Sequence, residues 1–148
     1  MNMTRLCKIF CGVILLTVPA VQYGGYFLLT VLSGTDGNEL TEFQRSMFRA
    51  GHAHAGVLVL FSLIAQLLID GAKLSMSICL ALRIAFPLAA ILVSGGFFAA
   101  AIGSGVTRPT SLVAILYAGI AVLAAAVITL GIGLLRSKGN GTDLQQEL

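Results

Sequence analysis

Four long, uninterrupted apolar runs constrain this chain more than any other feature of its sequence. The runs extend over Ile9 to Leu32, Ala50 to Ile69, Ile78 to Gly103 and Leu112 to Leu135. Each can cross a bilayer, whose hydrocarbon core needs about 20 helical residues. Only helices and closed barrels satisfy their backbone groups in lipid, and continuous runs select helices. We therefore predict an all-α integral membrane four-helix bundle over residues 1–136, followed by a disordered cytoplasmic tail at 137–148.

Composition and charge exclude a soluble domain and a nucleic-acid-binding protein. Of the 148 residues, 57% are hydrophobic and 10% are charged, whereas about a quarter of the residues in a soluble domain are charged. The net charge is +3, but the basic residues stand singly at the ends of the apolar runs. That distribution is typical of topology signals. The expected partner is the lipid bilayer, and we expect no contact with nucleic acid.

The basic residues also predict an orientation. One side of the membrane would carry Arg5, Lys8, Lys73, Arg83, Arg136 and Lys138, and the other side would carry Arg45, Arg49 and Arg108. Because cytoplasmic loops are enriched in Lys and Arg, this asymmetry places both termini in the cytoplasm. We predict a multi-pass protein of the cell membrane, in which the second helix begins on the outer side.

The first apolar run has two interpretations. Arg5 and Lys8 precede it, and Val18-Pro19-Ala20 would satisfy the cleavage rule of a secretory signal. The run nevertheless continues to Leu32, which makes it a full span and not a short signal core. We expect this helix to be retained and to kink at Pro19.

Two segments of the chain resemble each other. Residues 24–34 (GGYFLLTVLSG) and 95–105 (GGFFAAAIGSG) share a Gly-Gly-aromatic-Phe start and a Ser-Gly end at an offset of 71 residues. A duplicated helical hairpin would explain the match, as would coincidence, since glycine and serine are common in membrane helices. Gly95, Ala99 and Gly103 recur every four residues, which predicts a packing stripe facing either another helix of the chain or another protomer.

Both histidines of the chain lie in the second helix. Thr41 and Gln44 match a capping box, so this helix begins before the membrane. His52 and His54 then lie one or two turns inside the outer boundary, at a depth where an ionisable side chain indicates function. Residues two apart on a helix point roughly 200° apart. The two imidazoles therefore cannot bind one metal ion from the same helix face.

A single histidine ligand suits haem better than other metal centres. With two histidines in the chain and no carboxylate in mid-span, a three-ligand zinc or iron site and a proton-coupled transporter are both disfavoured. Haem needs only one axial imidazole, which leaves the sixth iron position open. Small residues around the pair leave room for a macrocycle, and Arg49 or Arg108 could pair with a propionate. The alternative is that both histidines only form hydrogen bonds between helices.

The run Phe48 to Gly56 (FRAGHAHAG), inside a small four-helix membrane protein, resembles the styrene oxide isomerase family. The second helix of that family carries a similar Ala-His-Ser-Gly run. Its members are haem b proteins that form trimers, with the ligating histidine at a contact between protomers, and they isomerise an aryl epoxide to an aldehyde with ferric iron as a Lewis acid. The resemblance implies that His54 is the axial ligand, that Gly56 belongs to the haem site, and that His52 lies near a propionate.

The resemblance extends to Gly96-Phe97-Phe98, which is similar to a Gly-Phe-Tyr segment of that family. Two polar positions differ, because the family has tyrosine at Phe98 and asparagine at Leu60. The side chains that could replace these polar groups are Gln22, Tyr23, Tyr26, Thr30, Ser94 and Tyr117. Two functions follow as hypotheses: a haem-dependent isomerase that converts a small apolar epoxide to a carbonyl compound, or a non-enzymatic haem carrier, sensor or structural subunit.

Overall fold

The computed structural model describes residues 3–34 and 39–137, and these ranges contain four helices. The helices are α1 (Arg5–Leu32), α2 (Glu42–Ile69), α3 (Met76–Ala100) and α4 (Val113–Leu135). All four are long and apolar enough to cross a membrane. The chain is therefore an all-α, multi-pass membrane bundle, as its apolar runs predict. Residues 138–148 of the predicted disordered tail lie outside the described residues.

The helix boundaries agree with local capping signals. Helix α1 begins at Arg5 because Thr4 Oγ1 accepts a hydrogen bond from the backbone N–H of Cys7 at 3.2 Å, and the helix continues through Pro19. The predicted capping box at the start of α2 is confirmed. Helix α3 ends three residues before the predicted Gly103, whose φ of +116° favours glycine and suits a loop. The apolar runs thus predict the spans, and side-chain caps mark the starts of α1, α2 and α3 but not that of α4.

The helices pack mostly on their neighbours in the chain. Helix α3 packs against both α2 and α4, whereas α1 packs chiefly against α2. Ala65, Phe86 and Leu130 belong to a buried apolar cluster that joins α2, α3 and α4. Helix α1 contributes no residue to this cluster and packs on the outside of the three-helix core, chiefly against α2. This arrangement leaves a cleft between α1 and α3.

A buried polar cluster holds α1 to the other helices at the end that we predict to be cytoplasmic. Arg83 of α3 forms an ion pair with Asp70, which follows α2. Arg83 also donates to Gln66 Oε1 at 3.0 Å, and the backbone N–H of Thr4 donates to Asp70 Oδ2 at 3.0 Å. Burial alone would raise the pKa of Asp70, but the hydrogen bonds from Thr4 and Arg83 outweigh it and hold that pKa below its ordinary value. The cluster therefore keeps a charged pair inside the bundle.

Close packing of α3 on α4 depends on a different glycine from the one that spacing predicts. A Cβ atom added at Gly96 would lie 2.5 Å from the backbone N and Cα of Leu116, whereas one added at Gly95 would meet nothing within 4 Å. Gly103 lies outside α3. The predicted stripe through Gly95 is thus wrong as a contact within the chain, because a four-residue spacing does not tell which neighbour a face meets. Its alternative role between protomers stays a prediction.

The structure also bears on the duplicated hairpin. Helices α1 and α3 begin 71 residues apart, as do α2 and α4, which is the offset of the repeated segments. Gly34 and Gly105, at the ends of those segments, both have positive φ angles, of 72° and 65°. The packing differs, since Gly25 faces His52 whereas Gly96 faces Leu116. These observations are consistent with duplication, which stays a hypothesis.

Candidate functional site

His54 lies on the exposed surface of α2 with one ring nitrogen occupied. Its Nδ1 is 2.7 Å from the carbonyl oxygen of Ala50, one turn earlier. Since a carbonyl only accepts hydrogen bonds, Nδ1 is the donor, and in the neutral ring this tautomer has its lone pair on Nε2. The ring also packs on Phe97 of α3, with centroids 4.8 Å apart. The local structure therefore fixes both the ring and its tautomer.

His52 faces a different helix. It is half-buried, and a Cβ atom added at Gly25 of α1 would come within 3.0 Å of its Cε1 and Nε2 atoms. His54 packs instead on α3, so the two imidazoles diverge, as the helical angle between them predicts. Neither ring nitrogen of His52 forms a hydrogen bond with any residue in 3–34 or 39–137.

The aromatic pair of α3 lies beside the two histidines. Phe98 fits over Gly51, where an added Cβ would lie 2.8 Å from its ring, and it stacks on Phe48 with centroids 5.5 Å apart. Its neighbour Phe97 contacts His54. Gly51 is needed for this close approach of α3 to α2. The two phenylalanines of the Gly96-Phe97-Phe98 segment, which the family resemblance singles out, thus pack beside the histidines.

The other residues predicted for the haem site lie on the surface of the chain or have open space beside them. Arg49 and Arg108 are exposed, and a Cβ atom at Gly56 would meet nothing within 4 Å. Leu60 is 62% exposed on the outside of α2. At about 100° per residue, Arg49 and Gly56 project from roughly the opposite side of α2 to His54, so the structure does not bring them together with that histidine. The assignments of His54, His52, Arg49 and Gly56 to haem stay predictions.

The cleft between α1 and α3 is a second candidate site, with α2 as its floor and a volume of about 580 Å³. His52 and Phe98 line it at the end where α2 begins, which we call the outer end. Four of its lining residues carry polar groups: Thr17, His52, Ser62 and Ser94. Three other polar candidates from the sequence, Tyr23, Tyr26 and Tyr117, are exposed instead. Only Ser94 of the six predicted candidates is among the residues that line this cleft.

The hydroxyl groups of the cleft differ in their hydrogen bonds. Thr17 Oγ1 donates to the carbonyl oxygen of Ile14 and Ser62 Oγ to that of Leu58, both at 2.7 Å. Ser94 is 7% exposed, and its Oγ has no hydrogen-bond partner among the residues that the structure describes. A buried polar atom without a partner requires an explanation. The sequence could not reveal it, because serine in a membrane helix usually bonds to its own backbone.

The described residues contain no group of three or more His, Cys, Asp or Glu side chains placed to hold a metal ion. Cys7 and Cys11 lie with their sulfurs 4.0 Å apart, and Cys7 donates to the carbonyl oxygen of Gln66 at 3.4 Å. Comparisons of the chain with protein-family models, curated proteins and solved structures give no match. Its function therefore has to be inferred from the two histidines and the cleft.

Proposed function

We propose that the chain is a haem b-binding protein of the cell membrane, in which His54 is the axial ligand, and that it isomerises a small apolar epoxide to a carbonyl compound. The observation that carries the proposal is the hydrogen bond from His54 Nδ1 to the carbonyl of Ala50. The bond uses Nδ1, so the lone pair of Nε2 remains available to a metal ion. A metal-ligating imidazole is usually oriented in this way, by a hydrogen bond from the ring nitrogen that does not bind the metal.

The surface around His54 fits a flat macrocycle. His54 and Val57, one turn apart on the same face of α2, are both exposed, so a planar ligand has access to this face. Phe97 supports the other side of the imidazole. Of the two predicted propionate partners, Arg49 projects from the other side of α2, whereas Arg108, in the segment between α3 and α4, is exposed and remains the candidate. These residues would hold the haem, and a bound ferric haem would supply a Lewis acid.

A second protomer would complete the site. His54 is exposed in the single chain, and an apolar macrocycle on one helix face would have its other face uncovered. A homo-oligomer, a trimer according to the family resemblance, would cover that face. Gly95 offers a small-residue surface on α3, with nothing within 4 Å of an added Cβ, for such a contact.

The chain itself contributes binding and exclusion of water. Val57, one turn from His54 on the same face, is 64% exposed and apolar. Apolar surroundings favour an epoxide over water, which would otherwise open the ring to a diol. In the isomerisation a ring C–O bond breaks, a hydride or substituent migrates to the neighbouring carbon, and a C=O bond forms. Substrate and product have the same atoms, so no external oxidant or reductant is required.

Non-enzymatic haem binding is the second candidate, and a specific observation favours it. Leu60 points its apolar side chain outward, and Phe98 stacks on Phe48. The polar groups present at these two positions in the isomerase family are thus absent here. A haem carrier, sensor or structural subunit would not need them. Both candidate functions use His54 as the haem ligand, and only the isomerase would convert an epoxide to a carbonyl compound.

Absorption spectroscopy of the purified protein tests the ligand. The wild-type protein should show a Soret band that His54→Ala loses and that His52→Ala, the matched control two residues away, retains. External imidazole should restore the band in His54→Gly, because it replaces the missing ligand. Full haem retention in both alanine variants would refute the assignment of His54. Incubation of the haem-loaded protein with a panel of epoxides then separates the candidates, since steady formation of carbonyl products excludes the non-enzymatic one.

A further inference from the structure

The cleft between α1 and α3 has the dimensions of a binding site for one elongated molecule. Its volume is about 580 Å³, which lies in the range typical of ligand pockets. Along α1 the lining extends from Phe10 to Gly24, which corresponds to about 20 Å at 1.5 Å per residue. Because α1 packs chiefly on α2, the cleft opens between α1 and α3. An apolar molecule could therefore enter it directly from the bilayer.

The polar groups that remain available lie towards the outer end of the cleft. Ser94 Oγ is buried without a partner, and the half-buried ring of His52 forms no hydrogen bond within the described ranges. Ser62 and Thr17, further along, already bond to backbone carbonyls. A buried hydroxyl without a partner destabilises the chain, so a ligand that bonds to it gains affinity. The free hydrogen-bonding capacity of the cleft is thus confined to one end.

Charge limits the ligand further. No Asp, Glu, Lys or Arg side chain is among the residues that line the cleft. A carboxylate or phosphate buried there would lack a counter-ion, which is costly in a medium of low dielectric constant. The Ser94 hydroxyl can both donate and accept a hydrogen bond, as can a neutral imidazole such as that of His52. They match a hydroxyl or carbonyl oxygen.

We propose that this cleft binds a single-chain apolar molecule with one neutral oxygen head group, a long-chain alcohol or carbonyl compound. The head lies between His52 and Ser94, and the chain extends along α1 and α3 towards Phe10 and Ile84. The site does not include the proposed haem ligand, because His54 faces α3 and is not among the lining residues; it shares only His52 with the four residues predicted for haem. Failure of either proposal leaves the other intact.

Photoaffinity labelling of the full-length protein in micelles tests this site. The probe is a straight-chain alcohol that carries a diazirine, and its control is the same chain ending in a methyl group. The wild-type protein should bind the alcohol more tightly, and Ser94→Ala should lower its affinity about fivefold, the effect of one neutral hydrogen bond. Affinity for the methyl-ended probe should not change. Ser62→Ala is the matched control, because its hydroxyl is already bonded to Leu58.

The labelled positions give a second readout. Labels should concentrate on the half-buried lining residues Val21 and Val59, and not on the exposed Leu16 and Leu135, which report general contact with lipid. Ala55→Phe, which fills the floor of the cleft, should abolish the concentrated labelling, whereas His54→Ala should leave it unchanged. Equal affinity of the wild type and Ser94→Ala, even labelling of all exposed residues, or concentrated labelling that survives in Ala55→Phe would each overturn the proposal.

Discussion

Two adjacent glycines of α3 allow the packing of the bundle to be tested with a matched pair of variants. In Gly96→Ala the new Cβ would lie 2.5 Å from the backbone of Leu116, and in Gly95→Ala it would meet nothing within 4 Å. Backbone atoms cannot rotate aside as a flexible side chain can. Helix α4 would therefore have to move away from α3 in the first variant and not in the second.

The size of the effect follows from two opposing contributions. Alanine is preferred over glycine in a helix by about 0.5–1 kcal/mol, and both variants gain this amount. Overpacking of a well-filled contact costs about 1–3 kcal/mol, and only Gly96→Ala meets this cost. Gly95→Ala should therefore raise the free energy of unfolding. Because the helix preference cancels between the two variants, Gly96→Ala should be the less stable by about 1–3 kcal/mol.

Reversible unfolding in mixed micelles measures this difference. Helical circular dichroism is followed as the fraction of a denaturing detergent rises, with both variants as monomers so that association does not contribute. Equal stabilities, or a lower stability of Gly95→Ala, would refute the assignment of Gly96 to the α3–α4 contact. If Gly95→Ala is stable as a monomer but weakens the oligomer, the stripe through Gly95 belongs to the protomer contact.

The remaining predictions concern the polar cluster and the position of His52. Asp70→Asn should lower the free energy of unfolding by about 3–5 kcal/mol in the same titration, because it leaves the charge of Arg83 buried without a counter-ion. The pKa of Asp70 is lower in the folded chain than its ordinary 3.8, so its contribution to stability should be complete above that value and disappear as the pH falls through the folded pKa; Asp70→Asn should lack this acid-dependent loss. Gly25→Ala should displace the His52 ring, which lies 3.0 Å from the added Cβ, and weaken labelling by the alcohol probe, whereas Gly12→Ala, with nothing within 4 Å, should not; equal labelling of the two would contradict the contact.

The sequence predicts the spans well because the hydrocarbon thickness fixes the length of an apolar run. It also predicts the start of α2, since the capping box at Thr41 and Gln44 is a local signal. It does not predict which helix faces meet. Lipid is as apolar as the bundle interior, so hydrophobicity does not separate Gly95 from Gly96, and only the docking of α3 on α4 does.

The candidate site could be predicted only in part, because it too depends on which helix faces meet. The divergence of His52 and His54 follows from the helix geometry alone. The cleft, with the unpartnered hydroxyl of Ser94, depends on how α1 packs against α2, and no local sequence pattern predicts that packing. Arg83 is an ionisable side chain inside a span, where such a residue suggests a functional site by default. Its ion pair with Asp70 and its hydrogen bond to Gln66 show instead that it stabilises the bundle.

The polar side chains of the bundle divide by whether they complete their hydrogen bonds within the chain. Hydrocarbon offers no partners, so each polar group must find one in the protein or in a bound molecule. Gln66 and Arg83 find theirs in each other and in Asp70, so removal of one should mainly change stability. Ser94 Oγ is buried without a partner among the described residues, and His54 forms its hydrogen bond through one ring nitrogen only. Substitution of Ser94 should therefore change binding more than it weakens folding, because no hydrogen bond within the described chain depends on its hydroxyl.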